Sequence, residues 1–317
     1  MRILVLGAGA VGGYFGGRMV EGGADVTFLV RERRRAALAR DGLVVKSVLG
    51  DLKLAVKTLT AGETASPFDF VLLSCKAYDL ASAMNAIAPV MGPDGAVLPL
   101  LNGIAHLEAL TARFGVQRVL GGCCYIGATL DPDGAVRHMG RMQSLLFGEI
   151  GDRNSARVTA LAAVLARTKI DAEASPAILQ AMWDKFVMLA ALAASTTLTR
   201  ATVGEIMAAP SGEAFMLAVL TECAAVAKAE GFSPSPAAYD GARRTLTQRG
   251  SGFAASMMRD MLKGGRTEGD HVIGDLVRRG AARQVATPML RAALVNLETH
   301  EAKRAATAAD ATQAPAG

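Results

Sequence analysis

The chain has 317 residues, of which 51% are hydrophobic, 20% charged and 5% aromatic, and its formal net charge is +5. This length and hydrophobic content are sufficient for two domains with buried cores. The mild positive charge is not interleaved with aromatic residues, so it favours anionic small molecules as ligands and argues against nucleic acid.

The four cysteines form no C-x-x-C pair and show no metal-ligand spacing with the four histidines, so no metal site is predicted. We expect reduced, structural thiols in a cytoplasmic protein. No apolar stretch reaches about 18 residues without a charge or a glycine, so neither a transmembrane helix nor a membrane partner is expected. The short N-terminal apolar run leads into a candidate nucleotide turn, which argues against a signal peptide.

A glycine-rich turn is the first motif in the chain. Residues 2–6 form an apolar strand pattern, and Gly7-Ala8-Gly9-Ala10-Val11-Gly12 follows as a G-x-G-x-x-G sequence that opens a helix. In such a motif Gly7 permits the tight turn, Gly9 lets a pyrophosphate approach the backbone, and Gly12 lets the helix pack on the strand. The N–H groups at the helix start would then bind the phosphates. The alternative is an alanine- and glycine-rich turn without a ligand.

The residue after the second strand indicates which dinucleotide would bind. Residues 25–30 are predicted as that strand, and NAD-specific folds place an aspartate or glutamate at its end to bind the ribose 2′-hydroxyl. This chain has Arg31 there, and a guanidinium matches a 2′-phosphate rather than a diol. The sequence therefore predicts NADP(H), with Arg31 on the phosphate. NAD(H) is the alternative, in which the arginines after this strand form a solvated helix start.

The following elements continue the alternation of strands and helices. They are predicted as extended segments at 43–48 and 51–57, a strand at 69–75, a helix at 78–91 and a strand at 96–101. Near-continuous apolar strands separated by helices are typical of a parallel sheet that is covered on both faces. Pro99 lacks an N–H donor, so its strand is expected at a sheet edge or a bulge.

From residue 122 the pattern changes to a hairpin and then to helices. The hairpin is predicted at 123–139, a helix at 158–167, an extended segment at 169–172, a helix start at Ser175-Pro176, and further helices at 211–230, 254–262, 271–280 and 289–303. We therefore expect an α/β Rossmann-type dinucleotide-binding domain at 1–172 and an all-α C-terminal domain at 173–304. Residues 305–317 are small, polar and proline-containing, so a disordered tail is predicted.

Two polar residues follow predicted strands at their carboxyl ends, which is where open α/β sheets bind ligands. Lys76 follows the strand at 69–75 and could contact a ribose or a phosphate; a surface lysine at a helix start is the alternative. Asn102 follows the strand at 96–101 and could hold a substrate or the nicotinamide; a plain Asn-Gly turn is the alternative.

The second domain contains a lysine in the middle of an apolar helix. Lys185 follows Trp183 and Asp184 and precedes a run of apolar residues, so its amine would be desolvated unless paired. Desolvation favours the neutral amine and hence proton exchange near neutral pH. A lysine whose head reaches solvent is the alternative. Ser256 lies on a later predicted helix, and Glu268 follows a Gly-Gly break, where a solvated charge is the usual explanation.

Together these motifs resemble the ketopantoate reductase (2-dehydropantoate 2-reductase) family. The resemblance extends in register to about residue 300 and rests on Gly7–Gly12, Leu29-Val30-Arg31, Ser74-Cys75-Lys76-Ala77, Leu101-Asn102-Gly103, Trp183-Asp184-Lys185, Ser256-Met257 and Thr267-Glu268. It implies a Rossmann domain followed by an all-helical domain, with the active site in the cleft between them. It also implies that NADPH reduces a 2-keto acid in pantothenate biosynthesis, and that Arg31 contacts the 2′-phosphate.

The resemblance implies a role for each remaining motif residue. Lys76 and Asn102 would line the nicotinamide end of the cofactor. Lys185 would be the general acid that protonates the ketone oxygen. Ser256 would bind the substrate carboxylate, and Glu268 would hold the lysine or a substrate hydroxyl. The chemistry is consistent, because a developing alkoxide needs a cationic donor in a dry site.

The chain departs from the family pattern on the lysine helix. Family members active on ketopantoate usually carry asparagine four and eight residues after the lysine, where this chain has Leu189 and Ala193. An apolar pocket with Leu189 facing the substrate suggests a 2-keto acid that lacks the hydroxyl of ketopantoate. Three hypotheses remain: a ketopantoate-type reductase, a related dehydrogenase acting on another keto acid, a β-hydroxy acid or an imine, and a non-catalytic NADPH-binding sensor. The alanine-rich helical domain would allow a homodimer.

Overall fold

The computed structural model describes residues 1–151 and 155–313 and divides the chain into two compact units. The first comprises residues 1–101 and 106–182, and the second comprises residues 102–105 and the chain from Trp183 onward. The division after Met182 lies ten residues beyond the predicted boundary at residue 172. The reason is that Ile178 and Met182, in the following helix, lie against Gly121 of the first unit. The grouping of residues 102–105 with the helical unit was not predicted.

A parallel sheet is central to the first unit, as predicted. The strands are β1 (Arg2–Leu6), β2 (Asp25–Leu29), β3 (Leu43–Lys46), β4 (Leu52–Leu54), β5 (Lys57–Leu59), β6 (Phe68–Leu73), β7 (Met91–Pro99), β8 (Leu120–Leu130), β9 (Val136–Glu149) and β10 (Asp171–Ala174). Five pair in parallel in the order β5-β2-β1-β6-β7. Ile3 and Val5 of β1 join one buried apolar cluster and Leu4 joins another, so both faces are covered. Pro99 lies on the edge strand β7, one of the two expected positions.

A second sheet is built on the long strand β9. This strand is antiparallel to β8 and parallel to β3 and β10, and β3 is antiparallel to β4. The predicted hairpin is confirmed, and the Gly134 amide closes its turn by donating to the Asp131 carbonyl. However, β9 continues well beyond the predicted end at Met139. Its extension pairs with β10, whose residues are 27 positions further along the chain, and local patterning does not report such a pairing.

The helices up to residue 165 are α1 (Ala10–Glu21), α2 (Glu32–Asp41), α3 (Leu80–Ile87), α4 (Ala105–Phe114) and α5 (Ala156–Leu165). α3 is shorter than the predicted helix at 78–91. It ends in a 3-10 turn that contains Pro89, and Met91 already belongs to β7. Proline cannot continue the helical hydrogen bonds, which explains the early end.

The second unit is helical, as predicted. The helix α6 (Ile178–Thr199) belongs to this unit from Trp183 onward. It is followed by α7 (Val203–Ala208), α8 (Gly212–Ala229), α9 (Pro236–Leu246), α10 (Ser256–Leu262), α11 (Asp275–Ala282) and α12 (Pro288–Gln313), with a π-helical turn over Asp270–Gly274 before α11. The predicted disordered tail does not match the structure up to residue 313, because these alanine-rich residues continue α12. The rest of that tail, residues 314–317, lies outside the described residues.

α6 is the one helix in the described part of the chain that is long and apolar enough to cross a membrane. A core helix has the same length and composition, and 61% of the apolar window of α6 is buried inside the structure. Trp183, Phe186 and Val187 are buried. We therefore interpret α6 as a core helix rather than a membrane span.

Candidate functional site

The glycine-rich turn between β1 and α1 has the geometry of a dinucleotide site. Gly7 has a φ of +92°, which favours glycine. A side chain at Gly12 would overlap the Gly7 carbonyl oxygen and the Ser74 hydroxyl, so this glycine is required for packing. By contrast, an added Cβ at Gly9 would meet none of the described atoms within 4 Å. The position through which a pyrophosphate would approach is therefore open.

The start of α1 suits a phosphate as well. No side chain in the described part of the chain caps it, and its first turn contains no acidic residue. Its first N–H groups and the positive end of the helix dipole can therefore bind an anion. The residues of this turn fit the pyrophosphate of a dinucleotide.

Arg31 and the segment after Lys76 lie together in the first unit. Arg31 directly precedes α2, its side chain is 83% exposed, and its Nη2 lies 3.1 Å from Asp79 Oδ2. Lys76 is half-buried and precedes the 3-10 turn Ala77–Asp79, whose Asp79 amide donates to the Lys76 carbonyl at 2.9 Å. The two predicted cofactor residues are thus linked through Asp79.

Sequence reasoning missed Arg34, which supports the glycine-rich turn. Its Nε donates to the Ala8 carbonyl at 3.1 Å, and its Nη1 donates to the Gly134 carbonyl at 2.9 Å. Burial lowers the pKa of the Arg34 guanidinium. The sequence shows a cluster of arginines after β2, but it does not indicate that Arg34 is the one whose side chain contacts the glycine-rich turn.

In the second unit, two of the predicted site residues, Lys185 and Asn102, are hydrogen-bonded to each other. Lys185, on α6, is half-buried, and its Nζ donates a hydrogen bond to Asn102 Oδ1 at 3.4 Å. Asn102 lies in a turn with Gly103, whose φ is +85°. The plain Asn-Gly turn is therefore present, but the asparagine side chain also accepts from the lysine. The arrangement holds an ammonium group on a rigid apolar helix.

The other predicted residues connect to this pair indirectly. Ser256 is exposed and begins α10, and the amide of the preceding Ala255 donates to Thr196 Oγ1 at 3.4 Å. Thr196 lies on α6 eleven residues after Lys185, about three turns along the same face. Leu189, one turn after the lysine, is half-buried. The buried Ala193 follows one turn later.

Glu268 connects to the Asn102 turn through His271, a residue that was not predicted from the sequence. Its carboxylate acts electrostatically on His271, and the His271 ring is hydrogen-bonded to the backbone of Asn102. Glu301 of α12 accepts from the backbone amide and the hydroxyl of Thr267 at 2.7 and 2.9 Å, which fixes the residue before Glu268. Burial tends to raise the pKa of Glu301, but the hydrogen bonds from Thr267 and Arg304 outweigh burial and lower it.

Two family models match most of the chain. One, described as ketopantoate reductase PanE/ApbA, matches residues 3–152, and the model of the C-terminal part of the same family matches residues 177–301. An uncharacterized oxidoreductase of Bacillus subtilis, YkpB, is 36% identical over 304 residues, which are 96% of this chain and 100% of the relative. A 2-dehydropantoate 2-reductase of Halobacterium salinarum is 31% identical over 294 residues, which are 92% of this chain and 96% of the relative.

Solved structures share the fold. A PanE/ApbA family ketopantoate reductase from Ralstonia eutropha JMP134 has a TM-score of 0.87 at 29% identity, covering 96% of this chain and 99% of that one. D-mandelate dehydrogenase with NADH and anilino(oxo)acetate has a TM-score of 0.86 at 22% identity with the same coverage, a likeness of fold alone. A Rossmann-like unit with a dinucleotide-type turn, followed by a helical unit, defines a class of oxidoreductases. Within it, the chain belongs to the ketopantoate reductase family.

Proposed function

We propose that this protein uses NADPH to reduce a 2-keto acid to the corresponding 2-hydroxy acid. The observation that carries the proposal is the hydrogen bond from Lys185 Nζ to Asn102 Oδ1, which holds a cationic donor on a buried apolar helix. A ketone oxygen that becomes an alkoxide needs such a donor. Family membership supports the same reaction.

In the proposed cofactor site, the turn from Gly7 to Gly12 binds the pyrophosphate and Arg31 binds the 2′-phosphate. Lys76 would line the nicotinamide end of the bound cofactor. Arg31 favours NADP(H) over NAD(H), because its fork of N–H donors matches a phosphate. Its ion pair with Asp79 means that a bound 2′-phosphate would share or replace an existing carboxylate partner.

When bound, NADPH would supply the hydride that the ketone carbon accepts. Lys185 gives a proton to the ketone oxygen, and the product is a hydroxyl group with a neutral amine left on the lysine. Asn102 accepts a hydrogen bond from Lys185 and so orients its N–H donors. Ser256 binds the substrate carboxylate, and Glu268 holds the lysine or a substrate hydroxyl.

The substrate we propose first is 2-dehydropantoate (ketopantoate), which would place the protein in pantothenate biosynthesis. A second candidate is a more apolar keto acid or an imine, favoured by Leu189 and Ala193 on the face of α6 that carries the lysine. A leucine side chain cannot hydrogen-bond to a substrate hydroxyl, so it removes one reason to prefer ketopantoate. A cytoplasmic location and a homodimer are further parts of this proposal.

The test is oxidation of NADPH by the purified protein in the presence of ketopantoate, a branched aliphatic 2-keto acid and an aromatic 2-keto acid. We expect turnover with at least one of them, and its loss in Lys185→Ala. Lys228→Ala, at an exposed position on α8, is the control and should retain turnover. A wild-type protein that binds NADPH but reduces none of the three acids would contradict the proposed function.

A further inference from the structure

The ring of His271 packs against the Asn102–Gly103 turn. His271 lies in the π-helical turn Asp270–Gly274. An added Cβ at Gly103 would lie 3.3 Å from its Cδ2 atom and 3.5 Å from its Nε2 atom. A hydrogen bond also joins the ring to the backbone of Asn102. The histidine therefore contacts the segment whose side chain accepts a hydrogen bond from Lys185.

The turn that carries His271 is fixed on two sides. Arg278 donates to Asp270 Oδ1 at 2.5 Å and to the Asp270 carbonyl at 3.1 Å. The adjacent Gly269 packs against the side chain of Leu297 on α12. π-Helical turns are rare and occur frequently at functional sites. Because its turn is anchored, the histidine can serve as a fixed support for a neighbouring segment.

We propose that His271 is a positioning residue, which holds the Asn102 backbone so that the Asn102 side chain can accept the hydrogen bond from Lys185. This inference rests on the proposed function of Lys185 as proton donor. The distance of 3.4 Å between Lys185 Nζ and Asn102 Oδ1 is long for a hydrogen bond. A small displacement of the turn would therefore break it, and His271 opposes that displacement.

The surroundings of His271 suit a neutral ring. Burial lowers its pKa, the carboxylates of Glu268, Asp275 and Asp270 raise it, as does the hydrogen bond to Asn102, and burial prevails. Asp270 is also ion-paired with Arg278. The ring is therefore neutral at neutral pH and supports the turn without adding a second cation to the segment that holds the Lys185 ammonium.

The contact can be tested by NMR on the full chain with ¹⁵N-labelled asparagine. The chain has four asparagines, so the spectrum contains four side-chain amide pairs, and the Asn102 pair is identified by its loss in Asn102→Ala. His271→Phe keeps a ring but removes the donor, and it should shift the Asn102 pair alone. His271→Gln keeps an N–H donor, so its Asn102 signals should lie closer to the wild-type positions than those of His271→Phe. His300→Phe is the matched control, because His300 bonds instead to the Gly265 carbonyl.

A second measurement is a pH titration of the wild-type protein, so it does not depend on whether a variant folds. Because burial lowers the pKa of His271, the Asn102 pair should titrate with a midpoint below that of an exposed histidine, about pH 6.5. An Asn102 pair that does not move in a folded His271→Phe protein would overturn the proposal. So would an Asn102 pair that titrates in the wild type with the midpoint of an exposed histidine, about pH 6.5, or above it.

Kinetics tests whether the contact matters to the proton donor. With an active keto acid, His271→Phe should lower kcat about tenfold and leave KM unchanged, because the hydrogen bond acts in the chemical step. In an Asn102→Ala background the same substitution should leave kcat unchanged, since the link to Lys185 is already lost. A tenfold loss in that background would show a packing role only and overturn the proposal. The NMR arm does not need turnover, so a protein inactive on keto acids would contradict the proposed function alone.

Discussion

Arg31 Nη2 lies 3.1 Å from Asp79 Oδ2, so the arginine after β2 is ion-paired with the turn that follows β6. These strands flank β1, the strand that leads into the glycine-rich turn. The arginine is mostly exposed, so the ion pair itself contributes little to folding. Its consequence concerns the cofactor, because a 2′-phosphate and the Asp79 carboxylate would compete for one guanidinium.

The first prediction is that Arg31 selects NADPH. Arg31→Ala should weaken NADPH binding by about 1.5–3 kcal/mol, the range for hydrogen bonds to a charged group, and barely affect NADH. Isothermal titration calorimetry with both cofactors measures this difference. Arg33→Ala, at an exposed position two residues later, is the control. Asp79→Asn should strengthen NADPH binding, because it removes a competing negative charge. Equal losses for both cofactors in Arg31→Ala would contradict the assignment.

The second prediction concerns substrate choice. Leu189 lies four residues after Lys185 on α6, so the two side chains share a helix face. We compare kcat/KM for ketopantoate with kcat/KM for an apolar 2-keto acid. Leu189→Asn should raise the ratio of the first to the second about tenfold, because one hydrogen bond to the substrate hydroxyl contributes about that much. Leu189→Met keeps an apolar side chain and should leave the ratio unchanged. An unchanged ratio in Leu189→Asn would place Leu189 outside the substrate pocket.

Much of the first unit was predictable because its signals are local. The turn from Gly7 to Gly12 is fixed by backbone conformation and close packing, which require glycine at stated positions. The edge position of Pro99 follows from its missing donor. The second sheet was not predictable in the same way, since the pairing of Ser144 with Asp171 depends on contacts between distant segments.

The candidate site shows the same contrast. Single residues such as Lys185 and Asn102 could be selected from their sequence context, but the bond between them joins positions 83 residues apart. The contact of His271 with Gly103 is still more distant in sequence. This contact also depends on a π-helical turn, which is too short to produce a periodic pattern of apolar residues in the sequence. Only the structure could show these relationships.

The third prediction concerns a charge network in the second unit. Arg279 donates to Glu230 at 2.8 Å and to Asp275 at 2.9 Å, and Arg283 donates to Glu230 at 2.7 Å. The Glu230 and Arg279 side chains are only 13% and 16% exposed. Arg279→Met should lower the free energy of unfolding by about 3–5 kcal/mol, because the buried Asp275 and the partly buried Glu230 lose a shared partner. Urea denaturation measures this loss. The exposed Arg243→Met is the control and should change it by less than about 1 kcal/mol.

The fourth prediction is the pH dependence of this network. Burial tends to raise the pKa of Glu230, but hydrogen bonds from Arg283 and Arg279 outweigh it, and the pKa is lowered. Such a carboxyl group stabilises the fold fully above its unfolded pKa of about 4.3 and loses this contribution as the pH falls through the folded pKa. The difference in unfolding free energy between the wild type and Glu230→Gln should thus be constant near neutral pH and shrink below about pH 4. A difference independent of pH would contradict the ionic explanation.

The fifth prediction is that Lys185 donates the proton. Lys185→Ala should lower kcat by about 10²–10⁴-fold, the range for loss of a general acid, while NADPH still binds with the wild-type Kd. Stopped-flow measurement of NADPH oxidation, with a separate cofactor titration, distinguishes the two effects. Near-normal turnover in Lys185→Ala would show that water or another residue supplies the proton.

Ser256 and Glu268 should respond differently from the lysine. Ser256→Ala should mainly raise KM for the keto acid, because a carboxylate anchor contributes equally to ground-state and transition-state binding. Glu268→Gln should lower kcat and leave NADPH binding unchanged, because the proposed role of the carboxylate is to hold the lysine or a substrate hydroxyl. A Glu268→Gln protein with the wild-type kcat and KM would remove Glu268 from the proposed site.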